Sequence, residues 1–383
     1  MKVTTENRNF GIDLLRGFSI LFVVVHHLAM SFRLPLGPSY LGELLGKRIV
    51  NGLSFNGFES VFIFFVVSGF LITQRSLEQT TTLSALNWRA FYLARFSRIF
   101  PLLALLLIVL SALHLLGVDG YVVEEKGQTL GRALVSALGL HLNWYEAQTT
   151  WLPASWDVLW SLSIEEVFYL AFPILCIVLP RRLFVVLLLA LASSLPWLRP
   201  GPEANELWRE KAYLPGMSAI AFGVLTAMLA QGWRPTRDFA RSLFALGGVG
   251  LIGVFFFGDV LWRVISDHVM LILCLSACFL LFAADILKIA PVKSLGWLAS
   301  MGRLSYEIYL SHMFIVLSVC SAYRAYLVKD MSWTFAVYPP TLFACVLLGM
   351  ALERWVIGPS RVWLRARGAG GLVPAGAWSS GPA

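Results

Sequence analysis

Arg16 and His27 stand eleven positions apart in the apolar run DLLRGFSILFVVVHH. At 100° per residue that separation lies about 20° from whole turns, so both side chains share one helix face. Their axial separation is about 16 Å at 1.5 Å per residue. This spacing suits an elongated ligand whose phosphates stay at the inner membrane surface with Arg16 while its reactive end reaches His27. A neutral imidazole is usable as a base near pH 7, and a guanidinium matches phosphate oxygens. The bland alternative is an imidazole hydrogen-bonded in a helix seam. His26 points about 100° away from His27 and reads as structural.

Further candidates follow the same logic, because an ionisable group in hydrocarbon is costly unless it has a task or a partner. Arg95 and Arg98 in ARFSRIFP are three apart and share a face, as a phosphate-binding pair would. Ordinary positive-inside charge explains that spacing equally well. Glu165 and Glu166 in WSLSIEEVFYLAFP diverge by about 100°, so one faces the interior and the two are no dyad. Ser161 lies in the same run. GRLSYEIYLSHMF carries Tyr309 and His312 three apart, and Glu59 sits near the outer end of GFESVFIFFVVSGFLIT. Ser68-Gly69-Phe70 in that run lets two helices approach closely and is no nucleophile elbow. His114 and Asp119 form an H-x4-D pair, a pattern expected often by chance, and it lies away from the arginines.

The elements that must position these groups are membrane helices. Of 383 residues, 58% are hydrophobic and 14% charged, and mean hydropathy is +0.74. A soluble domain carries about 25% charged residues, so soluble and disordered classes are excluded. Apolar runs place about ten spans, near 12–34, 57–74, 99–117, 159–179, 183–198, 213–231, 242–258, 264–284, 302–322 and 336–357. The short run 131–147 reads as re-entrant or interfacial. The expected fold is therefore an all-α polytopic membrane bundle. With the N-terminus inside, the inner segments hold more Lys and Arg than the outer ones, which places both termini in the cytoplasm.

The net charge of +8 is explained by those loops, and with no basic low-complexity arm, nucleic acid is not an expected partner. The five cysteines all lie in apolar runs, without CxxC or Cys/His spacing, so no metal is expected. No small-x-small cleavage signal follows the first run, which reads as an uncleaved span. Residues 1–367 form the membrane domain, and 368–383, rich in Gly, Ala, Ser and Pro, read as a disordered cytoplasmic tail.

Taken together, the five quoted segments resemble the acyltransferase 3 family of membrane O-acyltransferases across residues 8–358. The resemblance implies acyl transfer from a cytoplasmic acyl-CoA, usually acetyl-CoA, to a hydroxyl of a carbohydrate, a lipid-linked glycan or a small natural product. It implies a bacterial cytoplasmic membrane. Arg16 and His27 match its first motif, Arg95 and Arg98 its second, and Glu165 the acidic position of SIEE. Glu59 departs from the more common Asp, and Asp13 stands where many members read LDGLRG. Some members fuse a C-terminal SGNH-type domain, which this sequence is expected to lack.

On that reading Arg95 and Arg98, with Arg16, hold the CoA phosphates. His27 is the general base, or carries the acyl group covalently, and Glu165 orients or charge-balances the imidazole. Tyr309 or Ser161 donates to the oxyanion, and His312 and Glu59 are further substrate contacts. A rival class is a transporter or flippase that uses the intramembrane charges as its path.

Overall fold

The computed structural model describes residues 8–30, 33–201, 203–327 and 330–362, so the expected tail at 368–383 lies outside the described residues. Every element among them is helical. The long helices are α1 (Phe10–Ala29), α2 (Gly57–Thr80), α3 (Trp88–Leu115), α4 (Leu159–Val178), α5 (Arg181–Ser193), α6 (Tyr213–Gly232), α7 (Arg237–Ile265), α8 (Val269–Leu287), α9 (Gly296–Arg303), α10 (Ser305–Leu327) and α11 (Tyr338–Leu352).

Local chemistry sets several boundaries. Asn9 caps α1, its side chain accepting from the amides of Gly11 and Ile12, while Asp13 sits in the positive first turn. Asn87 and Thr236 cap α3 and α7 in the same way. Pro101 and Pro173 lie inside α3 and α4, as membrane helices tolerate.

Eight segments among the described residues are long and apolar enough to cross a membrane. One of them, Arg237–Leu287, contains both α7 and α8, parted by the turn Ser266–His268. The run expected as a span at 183–198 is the 13-residue α5 followed by a four-residue helix, Leu195–Leu198. A full crossing takes about 20 residues. The short run near 131–147 forms two helices, Leu130–Leu138 and Leu142–Gln148, neither long enough to cross. Large apolar side chains such as Val178, Val186, Leu189, Ile252 and Phe343 face outward, the surface expected against lipid. The chain is an integral membrane protein.

Small residues bring the central helices together. A Cβ on Gly223 of α6 would come within 1.9 Å of the Val66 carbonyl oxygen on α2, and one on Gly69 within 2.0 Å of the Ile220 carbonyl. The α2–α6 contact is therefore backbone on backbone, as Ser68-Gly69-Phe70 suggested. Gly17 and Gly302 do the same for α1 and α9. With α1 held at the centre, α2, α3, α4 and α10 close around its polar face.

Candidate active site: an arginine-lined cavity and a histidine pair

Helices α1, α2, α3, α4 and α10 enclose a cavity of about 90 Å³. A water needs about 10–15 Å³ by this measure, so the space admits several waters or one slim chain. Arg16 enters from α1, and its Nη2 donates to Ser305 Oγ at 2.9 Å. The Arg95 guanidinium lies 3.8 Å from the centre of the Tyr169 ring, and that of Arg98 lies 5.8 Å from Tyr306. The Tyr306 hydroxyl donates to the Ile99 carbonyl at 2.8 Å, anchoring α10 on α3. Arg95 Nε and Arg98 Nη1 are buried without a hydrogen-bond partner among the described residues. Glu165 accepts from Ser68 Oγ at 3.0 Å and faces the Tyr169 hydroxyl at 3.5 Å. Ser161 and Tyr309 share a 2.8 Å hydrogen bond across the cavity wall.

Six residues singled out in the sequence thus meet at one place: Arg16, Arg95, Arg98, Glu165, Ser161 and Tyr309. His27 and His312 lie beyond it. The Tyr309 ring centre is 6.0 Å from that of His312, which is 5.1 Å from that of His27. Tyrosine and imidazole therefore form a continuous row from the cavity to the last turn of α1.

Hydrogen-bond partners assign the two rings. His312 is fully buried, with Nδ1 facing the Tyr309 carbonyl at 2.7 Å and the Ile308 carbonyl at 3.2 Å. Carbonyls only accept, so Nδ1 carries the proton and Nε2 of the neutral ring keeps its lone pair. That Nε2 has no partner among the described residues. At His27, Arg33 Nη1 donates to the backbone carbonyl at 2.6 Å and stands 3.3 Å from Nδ1. Arginine only donates, so Nδ1 is the acceptor and the neutral ring carries its proton on Nε2.

The expected pairing of Glu165 with the His27 imidazole is not formed: Glu165 is held by Ser68 and Tyr169, and His27 by Arg33 and His312. Glu166 is half-buried and its Oε1 has no hydrogen-bond partner among the described residues. Glu59 lies apart, in the lining of a second cavity. His114 Nδ1 accepts from the Val123 amide at 2.9 Å, which closes a turn, and Asp119 is exposed. His26 is structural, with Nδ1 on the Ser54 carbonyl at 3.2 Å.

Sequence reasoning missed a buried ionic network. Lys211 Nζ lies 2.9 Å from Glu146 Oε2, hydrogen-bonds Asp157 Oδ1, and sits 3.9 Å from the centre of the Trp151 ring. Glu146 also accepts from the Leu152 amide at 3.1 Å. Burial and the second carboxylate, Asp157, push the Glu146 carboxyl well above the usual carboxylate range, against the pull of Lys211. The one sequence signal was a lysine placed directly before the apolar run that opens at Tyr213.

The family model described as an acyltransferase domain matches residues 9–352. The chain is 26% identical over 357 residues to the peptidoglycan O-acetyltransferase OatA of Listeria monocytogenes, covering 82% of this chain and 51% of that one. It is 24% identical over 347 residues to the O-acetyltransferase OatA of Staphylococcus aureus (strain NCTC 8325), with the same two coverages. The chain therefore spans about half the length of these curated relatives. No solved structure matches it.

Proposed function

This chain belongs to the acyltransferase 3 family, and on that premise we propose that it is a membrane O-acyltransferase that moves an acetyl group from acetyl-CoA to a glycan hydroxyl. One observation carries the reading. Three guanidiniums converge on a single buried cavity, two of them with unpaired N–H groups, and a tyrosine and two histidines continue from it. Buried cations are costly without an anion, so a phosphorylated donor supplies what Arg95 Nε and Arg98 Nη1 lack among the described residues.

In this reaction the acceptor oxygen attacks the thioester carbonyl. The new C–O bond forms, the C–S bond breaks, and the hydroxyl proton ends on the departing thiolate. The histidine pair carries that proton. His27 is the general base of the reading, a role in which its Nδ1 exchanges the Arg33 contact for the acceptor hydroxyl, and His312 Nε2 is the free acceptor nitrogen beside it. Tyr309, backed by Ser161, donates to the developing oxyanion. Glu165 balances the guanidinium charge rather than the imidazole. The peptidoglycan relative supports a glycan acceptor, and loop charge supports both termini in the cytoplasm of a bacterial inner membrane.

Purified protein in lipid nanodiscs, given radiolabelled acetyl-CoA and N-acetylglucosamine oligomers, is expected to leave base-labile label on the sugar. Glycan movement across proteoliposomes with no new ester would replace this reading with the transporter.

A further inference from the structure

A second cavity, of about 740 Å³, opens between the helix Lys47–Ser54, the start of α2, the end of α7 and the start of α8. Sequence singled out Glu59, and the reaction above leaves it unused; it belongs here. The wall mixes cations (Lys47, Arg48, Arg199) with carboxylates (Glu59, Asp259), and lays the rings of Phe55, Phe58, Phe256 and Trp262 among them. Glu59 Oε2 and Arg199 Nε are buried without a hydrogen-bond partner among the described residues. The wall thus keeps one spare acceptor and one spare donor.

That combination selects a ligand class. Two of the three cations are already engaged, Arg199 with Asp267 and Arg48 over the Phe257 ring, and an anion would also meet the carboxylates of Glu59 and Asp259. An apolar ligand would leave buried polar groups unpaired, which costs more than the bonds themselves are worth. A neutral polyhydroxylated ligand uses donors and acceptors alike and rests its C–H faces on the rings, and the volume lies within the range of small-molecule sites.

The cavity is also built rigidly and tied to the histidines. Helix α7 breaks at Phe257 (φ −129°, ψ 16°). Asn56 Nδ2 donates to the Phe255 carbonyl at 3.0 Å and to the Gly52 carbonyl at 2.6 Å, fastening the broken helix to the opposite wall. His26 holds that wall from behind through the Ser54 carbonyl, and a Cβ on Gly57 would come within 2.5 Å of its ring. The next residue is His27.

We propose that this cavity binds a neutral oligosaccharide and holds the acceptor glycan beside the histidine end of α1. Its role in transfer rests on the acyltransferase reading; the binding itself does not.

The test uses the full chain in nanodiscs, titrated with the tetrasaccharides of N-acetylglucosamine, glucose and mannose, with inorganic pyrophosphate as the anionic control. Saturation-transfer NMR reads binding, and acetyl-CoA binding is measured separately on the same samples. Saturable binding of at least one tetrasaccharide is expected, weakened about tenfold by Glu59→Gln and by Trp262→Ala, the cost of one good contact. Arg95→Ala is expected to weaken acetyl-CoA binding and leave sugar binding unchanged. The proposal is overturned if no tetrasaccharide binds, if neither substitution at the cavity weakens binding, or if pyrophosphate binds in preference. Sugar binding without any acetyl-CoA binding would uphold this site and remove the transfer reading.

Discussion

The arginine cavity and the Lys211 network are both buried and charged, yet they are built on opposite principles. In the network one ammonium serves two carboxylates and an aromatic face, and Glu146 takes a backbone amide as well. In the cavity three guanidiniums share one lining carboxylate, and two of them, Arg95 and Arg98, lean on tyrosine rings and keep an N–H group without a hydrogen-bond partner among the described residues. A closed network joins parts of the chain, here the segment 142–157 to the start of α6. Arg95 and Arg98 keep donors for which the described residues supply no acceptor. Burial and charge alone do not mark a site; the unpaired remainder does.

The largest effect tests the histidine row that continues from the cavity. His27→Ala is expected to cut kcat by about 10²–10⁴ while the melting temperature stays near wild type. His312→Gln, whose amide stands near Nε2, should retain more activity than His312→Asn. Equal loss in both would remove the role given to that nitrogen. Near-normal transfer in His27→Ala would reject the base.

Next comes the network. Lys211→Ala leaves two carboxylates buried without their cation, a loss of about 3–5 kcal/mol for breaking a buried pair. Thermal unfolding in detergent should show a markedly lower midpoint. An unchanged midpoint would mean that the network is no staple. In the cavity the converse is expected: Arg95→Ala with Arg98→Ala keeps or raises the midpoint and raises the donor KM. Each charged hydrogen bond lost is worth about 1.5–3 kcal/mol, so losing one from each arginine shifts the donor KM by about 10²- to 10⁴-fold. A donor KM unmoved by the double substitution would break the contrast between the regions.

Much of the cavity was legible because its residues are wrong for their solvent. Arg16 and Glu165 stand in apolar runs where a charge needs a reason, Arg95 and Arg98 directly precede one, and helical spacing showed which faces they share. What spacing could not show was which helix faces which. Glu165 was expected at the imidazole, but the crossing of α2 and α4 puts Ser68 and Tyr169 around it, and Arg33 reaches His27 from the loop after α1. The network was invisible for a similar reason. Lys211 is 65 and 54 residues from its partners, and Glu146 and Asp157 lie in the short helices Leu142–Gln148 and Ala154–Asp157, outside the runs read as spans, where a carboxylate calls for no explanation. The run expected as a span at 183–198 divides at Ser194 into the 13-residue α5 and a four-residue helix, a division that hydropathy does not register because it counts apolar residues alone.

The smallest expected effect distinguishes the regions by pH. The fold holds Glu146 protonated more readily than the unfolded chain does, because burial and Asp157 oppose its charge. Above the ordinary carboxylate range the unfolded chain has already released that proton, so the folded state binds more protons and stability falls as pH rises. The midpoint should drift down by a few degrees at most between mildly acidic and mildly alkaline buffers. Glu146→Gln, which cannot ionise, should flatten that drift. The double arginine substitution should leave it in place, since guanidiniums do not titrate in this range. A slope that vanishes with the arginines and survives in Glu146→Gln would place the titrating charge in the cavity, and the network would then lose its distinction as the balanced region.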